Sequence, residues 1–90
     1  IIFIMQEKDL ILYNTIAKIL KEKRLEKGLK FTIFCYENDI ATSSLNLIEN
    51  GNSKTYFSNI AKVIKALDMS FEEFGKLLDE ELPKDFSKED

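Results

Sequence analysis

Apolar positions recur along most of this chain at the three- and four-residue spacing of helices buried on one side, and the pattern predicts an all-α fold of five short helices. Leu12, Ile16, Ile19, Leu20 and Lys23 fall on the stripe of the first helix, with the aliphatic stem of Lys23 covering the edge of the core. Asp9 and Asn14 are rival N-caps for it, and Gly28 is placed to end it in the left-handed conformation. A second helix is expected over residues 31–38, with Phe34 and Cys35 inward, before a turn at Asp39. In the third, Ala41, Leu45 and Ile48 share one face, Thr42, Ser43, Asn46 and Leu47 project from the others, and Asn50-Gly51-Asn52 is the stop. Phe57, Ile60, Ala61, Ile64 and Leu67 have the spacing of a buried stripe on the fourth. The fifth opens on Ser70-Phe71-Glu72-Glu73, a capping box in which Ser70 and Glu73 satisfy each other's end amides, with Met69 stapled onto Phe74. Phe71, Phe74, Gly75, Leu78 and Leu82 continue its inward face, Gly75 implies close packing against a neighbour, and Pro83 stops it.

A chain of 90 residues with 44% apolar content can build one compact core and is too short for two. The expected organisation is an N-terminal arm or start of helix one over residues 1–13, a helical domain over 14–82 and an acidic C-terminal tail over 83–90. The apolar run Ile1 to Met5 is cut off by Gln6, Glu7, Lys8 and Asp9 before it reaches the length of a signal core or a membrane span. Two readings of it stay open: Met5 is the natural start, or the run is a short arm that docks on the domain or on a second copy. No membrane association is expected, and a lone thiol fits a reduced cytoplasm, so the location expected is cytoplasmic.

Composition removes several chemistries. There is no histidine for acid-base work or metal ligation, and the single cysteine cannot form an intrachain disulfide. Cys35, between Phe34 and Tyr36, reads as a small apolar core residue. Gly28, Gly51 and Gly75 are too scattered to cradle a phosphate, and the carboxylates at Glu72, Glu73 and Asp79 to Glu81 read as solvated helix faces. The expectation is a non-enzymatic binding module with no catalytic residue, metal, cofactor or small-molecule ligand. The net charge of -3, from 13 basic and 16 acidic residues, counts against a nucleic-acid ligand, but its distribution does not. Residues 14–30 carry six basic side chains (Lys18, Lys21, Lys23, Arg24, Lys27 and Lys30) against two acidic ones, a local +4. Residues 61–90 carry five against nine, a local -4. A basic front with an acidic tail is compatible with DNA binding at reduced non-specific affinity.

Three blocks, KRLEKGLK at Lys23 to Lys30, DIATSSLNLIENG at Asp39 to Gly51 and IAKVIKALDMSFEEF at Ile60 to Phe74, carry a resemblance across about two thirds of the chain without a gap. From about Ile16 to Phe74 the sequence resembles the Cro/C1-type helix-turn-helix family of phage repressors and bacterial regulators. The resemblance implies a compact five-helix lambda-repressor-like helix-turn-helix domain that binds double-stranded DNA, typically as a homodimer, with its second helix across the phosphates and its third in the major groove. Carried over by position, Thr42, Ser43, Asn46 and Leu47 would face the bases. Asparagine reads adenine with two hydrogen bonds, threonine and serine bond several bases, and Leu47 would pack on a thymine methyl. Lys30, Asn52, Ser53, Lys54 and Tyr56, with the amides of that loop and of the start of the fourth helix, would hold phosphate.

The resemblance also implies an ion pair between Arg24, late in the first helix, and Glu49, before the glycine that ends the third; the other reading is two separately solvated charges. The chain departs from the family pattern where Lys30 and Phe31 replace a capping hydroxyl and a glutamine, where Asp39 replaces the turn glycine, and where Ala41 replaces the hydroxyl that caps the reading helix. Phe31, Ile33 and Tyr36 lie where the family's second helix is polar. Either residues 1–13 fold over them, or they form a surface for a protein partner or second copy. Two functions follow: a DNA-binding transcriptional regulator, or the same fold reused as an antitoxin-like or anti-repressor interaction module with little DNA affinity.

Overall fold

The computed structural model describes residues 7–86, which form α1 (Glu7–Glu26), α2 (Phe31–Glu37), α3 (Thr42–Glu49), α4 (Phe57–Ala66) and α5 (Phe71–Glu81). Among the described residues there is no strand, and no helix is long and apolar enough to cross a membrane. The expectation of an apolar arm over Ile1 to Met5 falls outside the described residues.

Neither expected cap begins α1, which runs through both Asp9 and Asn14. Leu12 and Tyr13 already pack against the core, so the first two turns gain tertiary contacts that outweigh a local stop signal. Asp9 lies in the first turn, where its charge suits the helix dipole, and Asn14 abuts Gly51 at the far end of α3. Of the two readings of residues 1–13, the part from Glu7 onward is therefore the start of the first helix.

Four helices end with the same closure. Gly28, Asp39, Gly51 and Asp68 have positive φ, and in each case the next amide donates to a carbonyl of the last helical turn: Leu29 to Arg24 (3.1 Å), Ile40 to Cys35 (2.9 Å), Asn52 to Leu47 (3.0 Å) and Met69 to Ile64 (3.1 Å). These bonds satisfy carbonyls that would otherwise be orphaned at a buried corner. Glycine enters this conformation without a Cβ clash, and aspartate more readily than most other residues. A Cβ at Gly51 would in addition meet the Asn14 side chain, which would have to shift. α5 begins with the Ser70 hydroxyl accepting from the Glu73 amide at 3.0 Å, and ends at Glu81 because Pro83 pushes Leu82 into the extended region.

The core is a single cluster in which Leu20, Phe34, Leu45, Ile64 and Leu67 are almost wholly buried. α3 packs against α1, α2 and α4, and α5 closes the bundle against α1 and α4. α3 is thus held on three sides and free on the fourth. An exposed ion pair, Lys18 Nζ to Glu81 Oε1 at 2.7 Å, ties α1 to the end of α5.

Four side-chain assignments from periodicity differ from the structure. Ala41 is the exposed N-cap of α3, and Ile40 fills the core position beside the turn. Phe57 is exposed at the mouth of α4, whose buried stripe is Ile60, Val63, Ile64 and Leu67. Phe71 is half exposed, its ring lying under Lys65 Nζ at 4.5 Å. No neighbour lies within 4 Å of a Cβ built on Gly75, so close packing is not its reason. Phe57 and Phe71 each open a helix, where a residue in phase with the stripe projects past the end of the core.

Candidate nucleic-acid interface

The fourth side of α3 is the surface whose composition the sequence singles out. Thr42, Ser43 and Asn46 are exposed and Leu47 is half-buried, while Leu45 and Ile48 anchor the opposite side in the core. Glu49 is the helix's only charged residue, and it turns away from this surface. Arg24 Nε donates to Glu49 Oε2 at 2.7 Å and a terminal nitrogen donates to Oε1 at 3.0 Å, a two-point geometry that lysine cannot reproduce. The other terminal nitrogen donates to the Leu29 carbonyl at 2.6 Å, and the guanidinium stands 5.5 Å from the centre of the Phe31 ring. Both side chains of the pair are 7% exposed, so the separately solvated arrangement is not found. The hydrogen bonds to Glu49 hold the guanidinium charged even more firmly than usual. As a result the outward face of α3 carries no charge.

The residues expected to hold phosphate lie at the start of α2 and between α3 and α4. Lys30 is exposed at the N-cap of α2, where no side chain caps the helix. Lys54 and Asn52 are exposed and Ser53 is half-buried in the loop after α3; Tyr56, the N-cap of α4, is exposed. Not all the loop amides expected to grip phosphate are free. Asn52 Oδ1 accepts from the Lys54 amide at 2.8 Å, a local turn that uses both groups. α4 itself begins without a side-chain cap. The Thr55 hydroxyl is buried with no hydrogen-bond partner.

Two polar residues at this surface escaped the sequence reading. Lys62, on α4, is exposed and donates to the Asp39 carbonyl at 3.1 Å, beside a groove lined by Tyr36, Ala41, Ser44 and Asn59 at the start of α3. Asn50 is exposed one turn beyond Asn46, and its side-chain nitrogen donates to Asn46 Oδ1 at 3.0 Å. In the sequence Asn50 reads as part of the stop signal, and its four-residue spacing from Asn46 was the available clue. Nothing in the sequence brings Lys62 to the turn before α3.

Of the three side chains expected to break the polar pattern of the second helix, Phe31 is half-buried against the core under Arg24, whereas Ile33 is 53% and Tyr36 88% exposed. Residues 7–13 do not cover Ile33 and Tyr36; their neighbours include Pro83, Asp85 and Phe86 after α5. Asn38, a polar residue near the core, satisfies itself by donating to the Phe34 carbonyl at 2.9 Å. Cys35 is 1% exposed, and burial pushes its thiol above the ordinary range, with the Glu49 carboxylate adding to the effect. That is the environment of an inert core thiol and not of a nucleophile. Among the described residues no group of acidic or cysteine side chains is arranged to hold a metal ion.

No protein-family model matches the sequence, and neither curated proteins nor solved structures provide a significant match.

Proposed function

We propose that this chain is a sequence-specific transcriptional regulator with a lambda-repressor-like helix-turn-helix domain, α2 lying across the phosphates of double-stranded DNA and α3 entering the major groove. The observation that carries the reading is the electrostatic preparation of α3: its one acid is locked inward on Arg24, leaving a free face of small hydroxyls and amides. Such a face can approach base edges without repelling the phosphates on either side of the groove. Thr42, Ser43 and Asn46 are the hydrogen-bonding readers and Leu47 the apolar contact for a thymine methyl. Lys30 and Lys54, with the start of α4, set the register on the backbone. The protein works in the cytoplasm without a cofactor or a catalytic step, and as a homodimer on two half-sites about one helical turn apart.

Selection of binders from a random duplex pool at low salt, followed by salt titration of the enriched sequence, tests this reading. The expected result is a two-fold-symmetric site whose affinity falls steeply with salt. A folded protein that enriches nothing would overturn it. A second reading, the same fold used to grip another protein, is favoured by one observation: Ile33 and Tyr36 stand out on α2, where a surface devoted to phosphate has no use for them. Retained duplex binding by a variant carrying Ile33→Ser and Tyr36→Ser would separate that surface from the DNA-binding one.

A further inference from the structure

Asn50 meets Asn46 at two points. Its backbone amide donates to the Asn46 carbonyl at 3.1 Å, as a helix end requires, and its side-chain nitrogen donates to Asn46 Oδ1 at 3.0 Å. Both residues are exposed, and residues four apart lie one above the other on a helix surface. An asparagine side chain free in solvent presents either its oxygen or its nitrogen to a base edge and must be fixed when it binds. Here Asn50 Nδ2 holds the oxygen end of Asn46 and turns it toward the end of α3. A carboxamide oxygen has two lone pairs, so one remains for an incoming donor, and both hydrogens of Asn46 Nδ2 are left to give. This is the set that adenine needs at its major-groove edge, one donor to its N7 and one acceptor for its N6 amino group.

We infer that Asn50 is a positioning residue for base recognition, holding the Asn46 carboxamide in the orientation that reads adenine. The inference rests on the DNA-binding reading proposed above and assigns Asn50 a role distinct from a phosphate contact. A phosphate contact would strengthen binding to every duplex alike. A positioning bond sharpens discrimination at the base pair that Asn46 faces and nowhere else, because it removes side-chain freedom that binding would otherwise have to freeze. Asn50 adopts an ordinary right-handed backbone conformation (φ -99°, ψ 6°), and the left-handed position belongs to Gly51, so replacing Asn50 leaves the helix ending in place.

The experiment is a double-mutant cycle on the duplex selected by the wild-type protein and on its single-base variants, at one salt concentration. Asn50→Ala is expected to cut the preference for adenine over the other bases at one position by about 3- to 10-fold, the scale of freeing one side chain. It should leave the salt dependence unchanged and add nothing in an Asn46→Ala background. Asn50→Asp, which keeps the shape of the side chain but has no hydrogen to donate, should lose the same discrimination, while its charge lowers affinity for all variants equally. Thermal melts check that each variant is folded. If Asn50→Ala weakens all variants alike, or its effect adds to that of Asn46→Ala, the positioning role is overturned and DNA binding stands. If the wild-type protein selects no duplex, both readings fall.

Discussion

Arg24 is buried together with the Glu49 side chain, and its three donated hydrogen bonds explain how it is tolerated. Pair formation itself is weak grounds for stability, since desolvation offsets much of the attraction, but an unpartnered Glu49 would be costly. Arg24→Met should therefore lose about 3 to 5 kcal/mol in a denaturant melt, and Arg24→Met combined with Glu49→Leu should recover much of it because no charge is left alone. A neutral single variant would show that the pair contributes nothing to the fold. Cys35 gives a pH-dependent test. Its folded-state pKa lies above the ordinary 9.0, so as pH rises past that value the unfolded chain releases the thiol proton while the folded chain keeps it. Stability linked to this group is intact below pH 9 and declines above it. Melts of the wild-type protein and Cys35→Ala across that range should diverge in slope, the variant lacking this contribution; parallel curves would contradict the burial effect.

At the scale of elements, helix endings determine how α2 and α3 meet. Asp39 and Asp68 do the work that Gly28 and Gly51 do elsewhere, but each carries a Cβ into the left-handed region and a negative charge to a helix C-terminus. Asp39→Gly and Asp68→Gly are each expected to raise stability by about 0.5 to 1 kcal/mol, because relief of the left-handed strain exceeds the added freedom of the unfolded chain. Midpoints of urea unfolding read this directly, and a loss in either variant would mean that the aspartate side chain makes a compensating bond. The Asp39 carbonyl already receives Lys62, so the turn is also tied to α4 from outside the two helices it joins.

At the scale of the molecule, a chain of net charge -3 can bind a polyanion only if its cations lie where the polyanion comes. Lys54 is exposed in the loop that follows α3 and has no place in the core. On the proposed reading, Lys54→Ala should weaken binding to all duplexes by a similar factor and reduce the slope of affinity against salt by about one unit, without altering the selected sequence. A changed sequence preference would move Lys54 from backbone contact to base contact.

Helix number, the capping serine of α5 and the turn at Asp39 were legible in the chain because each depends on residue types at short spacing, and the Arg24 to Glu49 partnership was expected only from the resemblance. The outward set on α3 was legible for a related reason: its complement, Leu45 and Ile48, has to face the core. The start of α1, the exposure of Phe57 and Phe71, and the open space at Gly75 were not, because periodicity reports the direction of a side chain and not whether a neighbour lies in that direction. The approach of Lys62 to the turn, and the exposure of Ile33 and Tyr36 beside a half-buried Phe31, likewise depend on where separate helices come to rest. Sequence alone therefore determined the helices, their ends apart from the start of α1, and the chemistry available to each face. Only the tertiary structure decided which faces are covered, since coverage depends on contacts between residues distant in the chain, which no local spacing encodes.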